Sequence, residues 1–328
     1  MNFSDFAKNS KNQLIITAVL FALWAFFAVC APGAFLSGSI YMTFLSTIPF
    51  IMIVATAMTL VVVTGEMDLS FASNMAMSGF VFALVSKATG SVIAGAAAGV
   101  AAGLAIGFVN GFMITRTGVP AIVATIGFDF FWRGTVMLLS GGTAIPLGIE
   151  LKLDNPEIAV LVGRLGGFLP MQSVWAVLFA AATALVYHRT SWGDDLRFIG
   201  DDINVAKMLG MPVNAARTGV FAYLGFAAGL AGVLATAEMG NWWPTQGEGY
   251  LLLVFASVFI GGTSVYGGSG TVWGTVIGSI MMGTIEAGIV SSGWSGFWTR
   301  FVDGLVLLLS VSFYALVSKR KRESGANG

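Results

Sequence analysis

The sequence predicts an all-α polytopic membrane protein with about ten transmembrane helices. Three observations predict it. Hydrophobic residues make up 56% of the 328 residues and charged residues 10%, against roughly 25% charge in an ordinary soluble domain. Apolar stretches of near-spanning length recur along the whole chain. The links between them are too short to hold a soluble domain, apart from two of moderate length at 142–171 and 188–217. A compact globule cannot cover so much apolar surface with so few polar groups, whereas lipid makes an apolar exterior the stable one. The formal net charge is zero, so nothing in the balance points to nucleic acid. The single cysteine, Cys30, excludes an internal disulfide framework and reads as a small apolar filler.

The apolar runs fall at 14–35, 41–64, 70–88, 91–114, 119–142, 172–187, 218–237, 251–262, 271–291 and 297–317. Lys8 and Lys11 before the first run, and Ala28-Val29-Cys30 near its end, loosely resemble a signal peptide. The run is long enough to span by itself and further spans follow at once, so a retained first span is expected. The eighth run is short, and either extends or is broken. The whole chain, 1–328, reads as one transmembrane domain.

Lys and Arg near span ends mark the cytoplasmic side. Lys8 and Lys11, then Arg189, Arg197, Lys207 and Arg217, then Lys319, Arg320, Lys321 and Arg322 form three basic stretches. Ten crossings place all three on one side, with both termini cytoplasmic and 188–217 a cytoplasmic link. The link 142–171 is then external, with Glu150, Lys152, Asp154, Glu157 and Arg164 of mixed sign. Trp24, Trp294 and Trp298 are either interface anchors or packing residues.

The fourth run carries Gly95, Gly99, Gly103, Gly107 and Gly111 at every fourth position, one stripe of a helix. The ninth repeats the device with Gly270, Gly274 and Gly278. Such stripes let another helix approach closely, as membrane helices do when they associate. Tight permanent packing is the plain reading, and a sliding gate the functional one. The stripes lie 171 residues apart, and Gly134-Thr-Val-Met-Leu-Leu-Ser140 lies 170 residues before Gly304-Leu-Val-Leu-Leu-Leu-Ser310. Runs two to five therefore match runs seven to ten. An offset of five crossings inverts the unit, an architecture common among transporters.

Charges inside apolar runs need a reason. Asp129 and Arg133 are four apart and can pair on one helix face, and Arg300 and Asp303 are three apart at the matching place in the second half. Two structural ion pairs are expected, with a direct transport role as the alternative. Glu286 is more isolated and is a candidate to line an aqueous path or to be neutral. Glu238 and Glu248 flank Asn241-Trp242-Trp243-Pro244. Paired tryptophans beside polar groups stack on sugar rings or sit in an interfacial belt. In Gly65-Glu66-Met67-Asp68-Leu69-Ser70, Gly65 can end one helix and Asp68 or Ser70 can cap the next. In the link 188–217, Asp202 is a suitable N-cap, Gly210 a suitable left-handed C-terminal residue, and Pro212 forbids continuation. A short capped helix standing off the membrane is expected, either docking a soluble partner or merely connecting.

The chain resembles, over almost its whole length, the permease subunits of bacterial ABC importers for monosaccharides, the ribose-type group. The resemblance rests on Gly65-Glu-Met-Asp-Leu-Ser70, Asn110-Gly111, Pro120-Ala-Ile-Val-Ala-Thr-Ile-Gly127 with Arg133-Gly134, Ile199-Gly200 through Ala206 and Gly210, Gly247-Glu-Gly249-Tyr250, and Ile260-Gly-Gly-Thr-Ser-Val-Tyr-Gly-Gly268. It implies a permease copy paired with a second copy or a homologous permease around one path for a small carbohydrate, a monosaccharide or sugar alcohol, in the bacterial inner membrane. A periplasmic sugar-binding protein feeds it and a separate ATPase, which holds ATP and Mg, drives it. This chain itself has no cofactor, metal site or catalytic residue under that reading, and it lacks a G-x-x-x-x-G-K-[ST] phosphate loop. Asp201, Asp202, Asn204, Ala206, Lys207 and Gly210 become the ATPase-coupling candidates. Asp68, Ser70, Asn74, Asn110, Trp242, Trp243 and Glu248 become candidates to line the path.

The chain departs from the pattern at Asp201-Asp202, where the family often has Gly-Asn, and at Leu251-Leu-Leu-Val-Phe-Ala-Ser257, where it often has Glu-Leu and small residues. Substrate choice different from ribose follows if that stretch lines the path. The rival class is an ion-coupled secondary transporter of a small polar solute, with Asp129, Glu286 or Asp303 as the working carboxylate. A channel-like protein lacks a use for the capped helix. An enzyme is disfavoured, since His188 stands alone without a metal or nucleophile constellation.

Overall fold

A computed structural model describes residues 3–148 and 156–325. Its helices, in chain order, are α1 (Phe3–Cys30), α2 (Pro32–Phe35), α3 (Gly38–Val63), α4 (Phe71–Thr89), α5 (Val92–Thr117), α6 (Ala121–Ser140), α7 (Pro156–Val162), α8 (Met171–Arg189), α9 (Ser191–Asp201), α10 (Ile203–Met208), α11 (Val213–Met239), α12 (Tyr250–Ile260), α13 (Val272–Ser291) and α14 (Phe297–Gly325). Local chemistry sets many of these ends. The Ser91 hydroxyl accepts from Ala94 N–H to start α5, and Thr271 does the same for Gly274 in α13. Left-handed glycines, among them Gly90 and Gly240, stop α4 and α11.

Among the described residues, α1, α3, α5, α6, α8, α11 and α13 are long and apolar enough to cross a membrane. The remaining predicted runs correspond to α4, α12 and α14. α4 has spanning length, at 19 residues, but buries Ser73, Asn74, Ser78 and Ser86 among its apolar side chains. α12 has only 11 residues. The eighth run is thus broken: an irregular segment, 240–249, precedes a short helix. Non-helical backbone at this depth is stable only where protein or a cavity satisfies its polar groups.

α3 and α11 form the centre and pack on each other. Both are buried along most of their length, whereas α1 and α6 lie at the periphery. Thr and Ser hydroxyls within the core bond back to carbonyls four residues earlier, as Thr56 does to Met52 O, which satisfies them without water. The Thr59 and Thr275 hydroxyls join α3 to α13 at 2.7 Å.

The packing pairs are those an internal repeat demands. α5 packs on α4 and α11, and α13 packs correspondingly on α12 and α3. α4 touches α6 as α12 touches α14. The glycine stripe of α5 lies against α4 and α11. A Cβ at Gly103 would lie 2.6 Å from the Gly225 carbonyl oxygen and 2.6 Å from the Gly229 Cα. Gly95 faces Ser86, Gly99 faces Ser78 and Val233, Gly107 faces Phe221 and Gly225, and Gly111 faces Phe221 and Thr218. Gly274 and Gly278 press on the Gly261 and Ser257 carbonyls, and Gly270 on Val63. Helix backbones meet there with no room for a side chain.

The link 142–171 is more ordered than its composition foretold. Ile145 and Pro146 pair antiparallel with Trp242 and Asn241, and residues 164–165 with 169–170 form a small hairpin. Glu157, at the start of α7, accepts from Ile93 N–H at 2.9 Å and from the Ser91 hydroxyl at 3.0 Å. Those bonds, the Ile93 one foremost, hold its carboxyl below the usual glutamate value. Glu150, Lys152 and Asp154 lie outside the described residues. The link 188–217 holds two helices, α9 and α10, where the sequence predicts one, and α9 precedes the expected helix.

Candidate translocation path and coupling surface

The turn 64–70, between α3 and α4, is buried at Asp68 and Ser70. The Asp68 carboxylate accepts from the Ser70 N–H at 2.7 Å and the Ser70 hydroxyl at 2.6 Å. Asn110 of α5 donates to the Ser70 oxygen at 2.9 Å, and its own carbonyl accepts from the Trp132 indole at 3.0 Å. Asn74 donates to the Gly103 carbonyl at 3.0 Å and accepts from the Ser78 hydroxyl. Asp68, Ser70, Asn110 and Trp132 thus form a chain of mutually satisfied groups joining the turn to α5 and α6, while Asn74 is satisfied separately by Gly103 and Ser78. Buried polar groups arranged this way are structurally rigid.

Neither Asp68 nor Ser70 caps α4 with its side chain. The cap comes from another helix: Asp129 of α6 accepts from the Ser73 N–H at 3.2 Å. A carboxylate there satisfies a first-turn donor and complements the helix dipole. This corrects the expected Asp129–Arg133 ion pair. Arg133 turns instead to the irregular segment. Its Nη1 donates to the Pro244 carbonyl at 2.6 Å and the Gln246 carbonyl at 2.9 Å, and its Nε lies 3.7 Å from Glu248. One turn apart on α6, the two charges thereby hold the start of α4 and the segment before α12.

That segment is pinned elsewhere too. Trp242 is wholly buried, donates to the Ala76 carbonyl at 2.8 Å, and packs on Phe80. It lines no open space. Gln246 donates to Gly232 O at 3.0 Å and accepts from Thr236 at 3.1 Å. Trp243 and Glu238 are half-buried and Glu248 is exposed, so Trp242 alone of the tryptophan–glutamate group is closed off.

The second expected ion pair is also absent. Asp303 is buried while Arg300 is exposed, and no ion pair joins them.

The link 188–217 is anchored to the core by backbone contacts. Gly200 of α9 presses on the Val63 carbonyl at the end of α3, and that carbonyl accepts from Gly268 N–H at 2.8 Å. Asp201 packs on Gly268. Arg217 pairs with Glu66 across the same region. Beyond this base stands α10. Asp202 accepts from Asn204 N–H at 2.8 Å and Val205 N–H at 3.1 Å, and Gly210 takes φ +74°, as the cap residues require. Ala206 faces inward and is buried, whereas Asn204 and Lys207 are exposed. Val205, Met208 and Leu209 are exposed as well, the last two at 79% and 70%.

Sequence reasoning missed the Asp129 cap, the Trp132–Asn110 bond, Gln246 and the Glu66–Arg217 pair. The signal for the third was present: an amide beside a Pro–Gly-rich break in an apolar region needs partners. No grouping of His, Cys, Asp and Glu able to hold a metal occurs among the described residues.

Residues 40–311 match the family described as "Branched-chain amino acid transport system / permease component". The ribose import permease protein RbsC of Escherichia coli (strain K12) is 31% identical over 275 residues, 82% of this chain and 82% of that one. The probable ABC transporter permease protein YphD of the same strain is 28% identical, covering 99% of this chain and 96% of its own. The autoinducer 2 import system permease protein LsrC of Yersinia enterocolitica (serotype O:8 / biotype 1B) is 28% identical, covering 93% and 82%. No solved structure matches the chain.

Proposed function

Since the chain belongs to this family of transport-system permease components, a multi-pass inner-membrane protein, we propose that it is the membrane-spanning subunit of an ATP-driven importer for a small carbohydrate. The observation that carries the reading is α10, a capped helix on a stiff base that holds Met208 and Leu209 out into solvent. Exposed apolar side chains of this kind mark a protein contact. A separate ATPase, with its own ATP and Mg, grips α10 from the cytoplasm. Its closure pushes α10 and α9 together, and Gly200 passes the movement to the ends of α3 and the 261–270 loop without a compressible side chain between.

Both termini and the link 188–217 then lie in the cytoplasm, and 142–171 faces a periplasmic binding protein. Two permease copies enclose the path. Ribose, the solute in the name of one relative, supports the carbohydrate class. Trp243 and Glu248 are the path candidates that remain open to a solute. Asp68, Ser70, Asn74, Asn110 and Trp242 act instead as its frame.

The test is gentle purification of the tagged chain from its native membrane. A co-purifying ATPase subunit, lost in Met208→Asp with Leu209→Asp, is the expected result. A clean chain that moves solute down an ion gradient in liposomes would replace this reading with an ion-coupled secondary transporter.

A further inference from the structure

Glu66 is the one charge of the turn 64–70 that the buried hydrogen bonds around Asp68 leave unused. Its Oε1 pairs with Nη2 of Arg217, and both side chains are only 13% exposed. Of the three ion pairs among the described residues, it is the one with both partners mostly buried. Arg217 lies one turn into α11. Just before it, α10 and α11 are tied together. Met211 N–H donates to the Ala206 carbonyl at 3.1 Å, and Ala216 N–H to the Pro212 carbonyl at 3.0 Å. Ala206, Val213 and Ala216 are all buried. α10 and the first turn of α11 are thereby one body, with Arg217 on it. Across the pair, Glu66 N–H is fixed to the Val61 carbonyl at 3.2 Å. Two residues on, Asp68 begins the line of hydrogen bonds through Ser70 and Asn110 to Trp132 of α6.

Stability alone is a poor reason for this pair, because the cost of taking two charges out of water offsets most of their attraction. Nor is the guanidinium locked by a full set of bonds, since Arg217 Nε is buried without a hydrogen-bond partner among the described residues. What the pair supplies is a link of defined direction. Gly200 meets the Val63 carbonyl by close packing, a contact that transmits a push and nothing else. A charged hydrogen-bonded pair also holds in tension, so it can draw the turn back when α10 returns. We infer that the Glu66–Arg217 pair is a tether that passes the movement of α10 to the turn holding Asp68, and through Ser70 and Asn110 to α6. Contiguous bonded groups of this kind are physical carriers of coupling between distant sites. The inference rests on the ATP-driven importer reading and adds two positioning residues to it.

The complete transporter, with ATPase and binding protein, is reconstituted in liposomes and supplied with labelled D-ribose, D-glucose and ribitol. Solute moved per ATP hydrolysed is the quantity read. Glu66→Leu combined with Arg217→Met removes both charges at once, so neither is left buried alone. The complex should assemble and hydrolyse ATP, while solute moved per ATP falls about ten-fold. Glu66→Arg combined with Arg217→Glu rebuilds the pair in reverse and should recover most of that loss. A pair that only stabilises the fold shifts the thermal melt and leaves the ratio alone. An unchanged ratio in the apolar variant therefore overturns the tether, as does an assembled reversed pair without recovery. If the apolar variant does not assemble, Glu66→Gln, which keeps the shape and loses the charge, is read in the same way. Failure of both to assemble assigns the pair to folding alone and overturns the tether. Failure of the underlying reading looks different: the unaltered transporter then takes up none of the three solutes on adding ATP, and the proposal falls with it.

Discussion

The two halves, α3–α6 and α11–α14, pack in the same pairs but differ in how their polar groups are used. In the first half the buried carboxylate and amides around the start of α4 are all hydrogen-bonded, although the Ser86 hydroxyl farther along α4 has no partner. Asp68, Ser70, Asn110 and Trp132 bond in series, and Asp129 caps α4. In the second half the position matching Arg133 is Asp303, whose Oδ1 is unbonded, and the position matching Asp129 is Thr299, which faces a cavity. Two copies of one architecture thus differ at one helix turn, which is bonded to neighbours in the first half and leaves Asp303 Oδ1 unbonded in the second. Packing is common to both because glycine stripes set it. Chemistry differs because one turn of α6 or α14 carries it.

The largest expected effect breaks the shared packing. Gly103→Leu drives a side chain into the α11 backbone and should abolish folded protein in detergent, well beyond the ~1–3 kcal/mol of ordinary overpacking. Gly304→Ala, where nothing lies within 4 Å, should leave thermal stability unchanged or raise it by up to about 1 kcal/mol. Equal behaviour of the two variants in a thermal melt would mean that the stripe does not set the packing.

Next in size is Arg133→Met, which strips the carbonyls of Pro244 and Gln246 of their donor. A loss of about 3 kcal/mol is expected, with faster proteolysis at 240–249. Asp129→Asn removes only the charge from the cap of α4, costing about 1 kcal/mol. The corresponding Thr299→Val in the second half should leave the melting temperature within error, since Thr299 caps no partner helix.

The smallest effect is the acid response of Glu157. Its folded-state value is depressed, so its anchoring of Ile93 is complete above the unfolded value near 4.5. It fades as pH falls through the lower folded value. Hydrogen exchange at the Ile93 amide should therefore be constant near neutral pH and lose protection only in that acid window. Loss of protection already above pH 5 would assign the amide to another acceptor.

Helix positions were legible because apolar run length and glycine or proline punctuation are local signals. The Asp202 cap and the Gly210 stop of α10 were readable for the same reason, as was the close packing of Gly95 to Gly111. Partner choice was not. Spacing allowed Asp129 to meet Arg133 and Arg300 to meet Asp303, yet Asp129 was drawn to the free amides of α4 and Arg133 to the carbonyls of a broken span. Unsatisfied backbone inside a membrane outcompetes a same-helix ion pair, and such backbone becomes visible only once the break at 240–249 is located. Ala206 shows the reverse error of a face: the sequence marks α10, but only the fold shows that Ala206 points inward and Met208 outward.

The difference between the halves is tested most directly by treating the membrane-embedded protein with dicyclohexylcarbodiimide, which modifies carboxyl groups in apolar surroundings, and mapping the adducts by mass spectrometry. Modification of Glu286 or Asp303, with Asp68 and Asp129 left intact, is the predicted result. Adducts on Asp68 or Asp129 at equal or greater yield would contradict the division into a bonded first half and a second half with Asp303 unbonded.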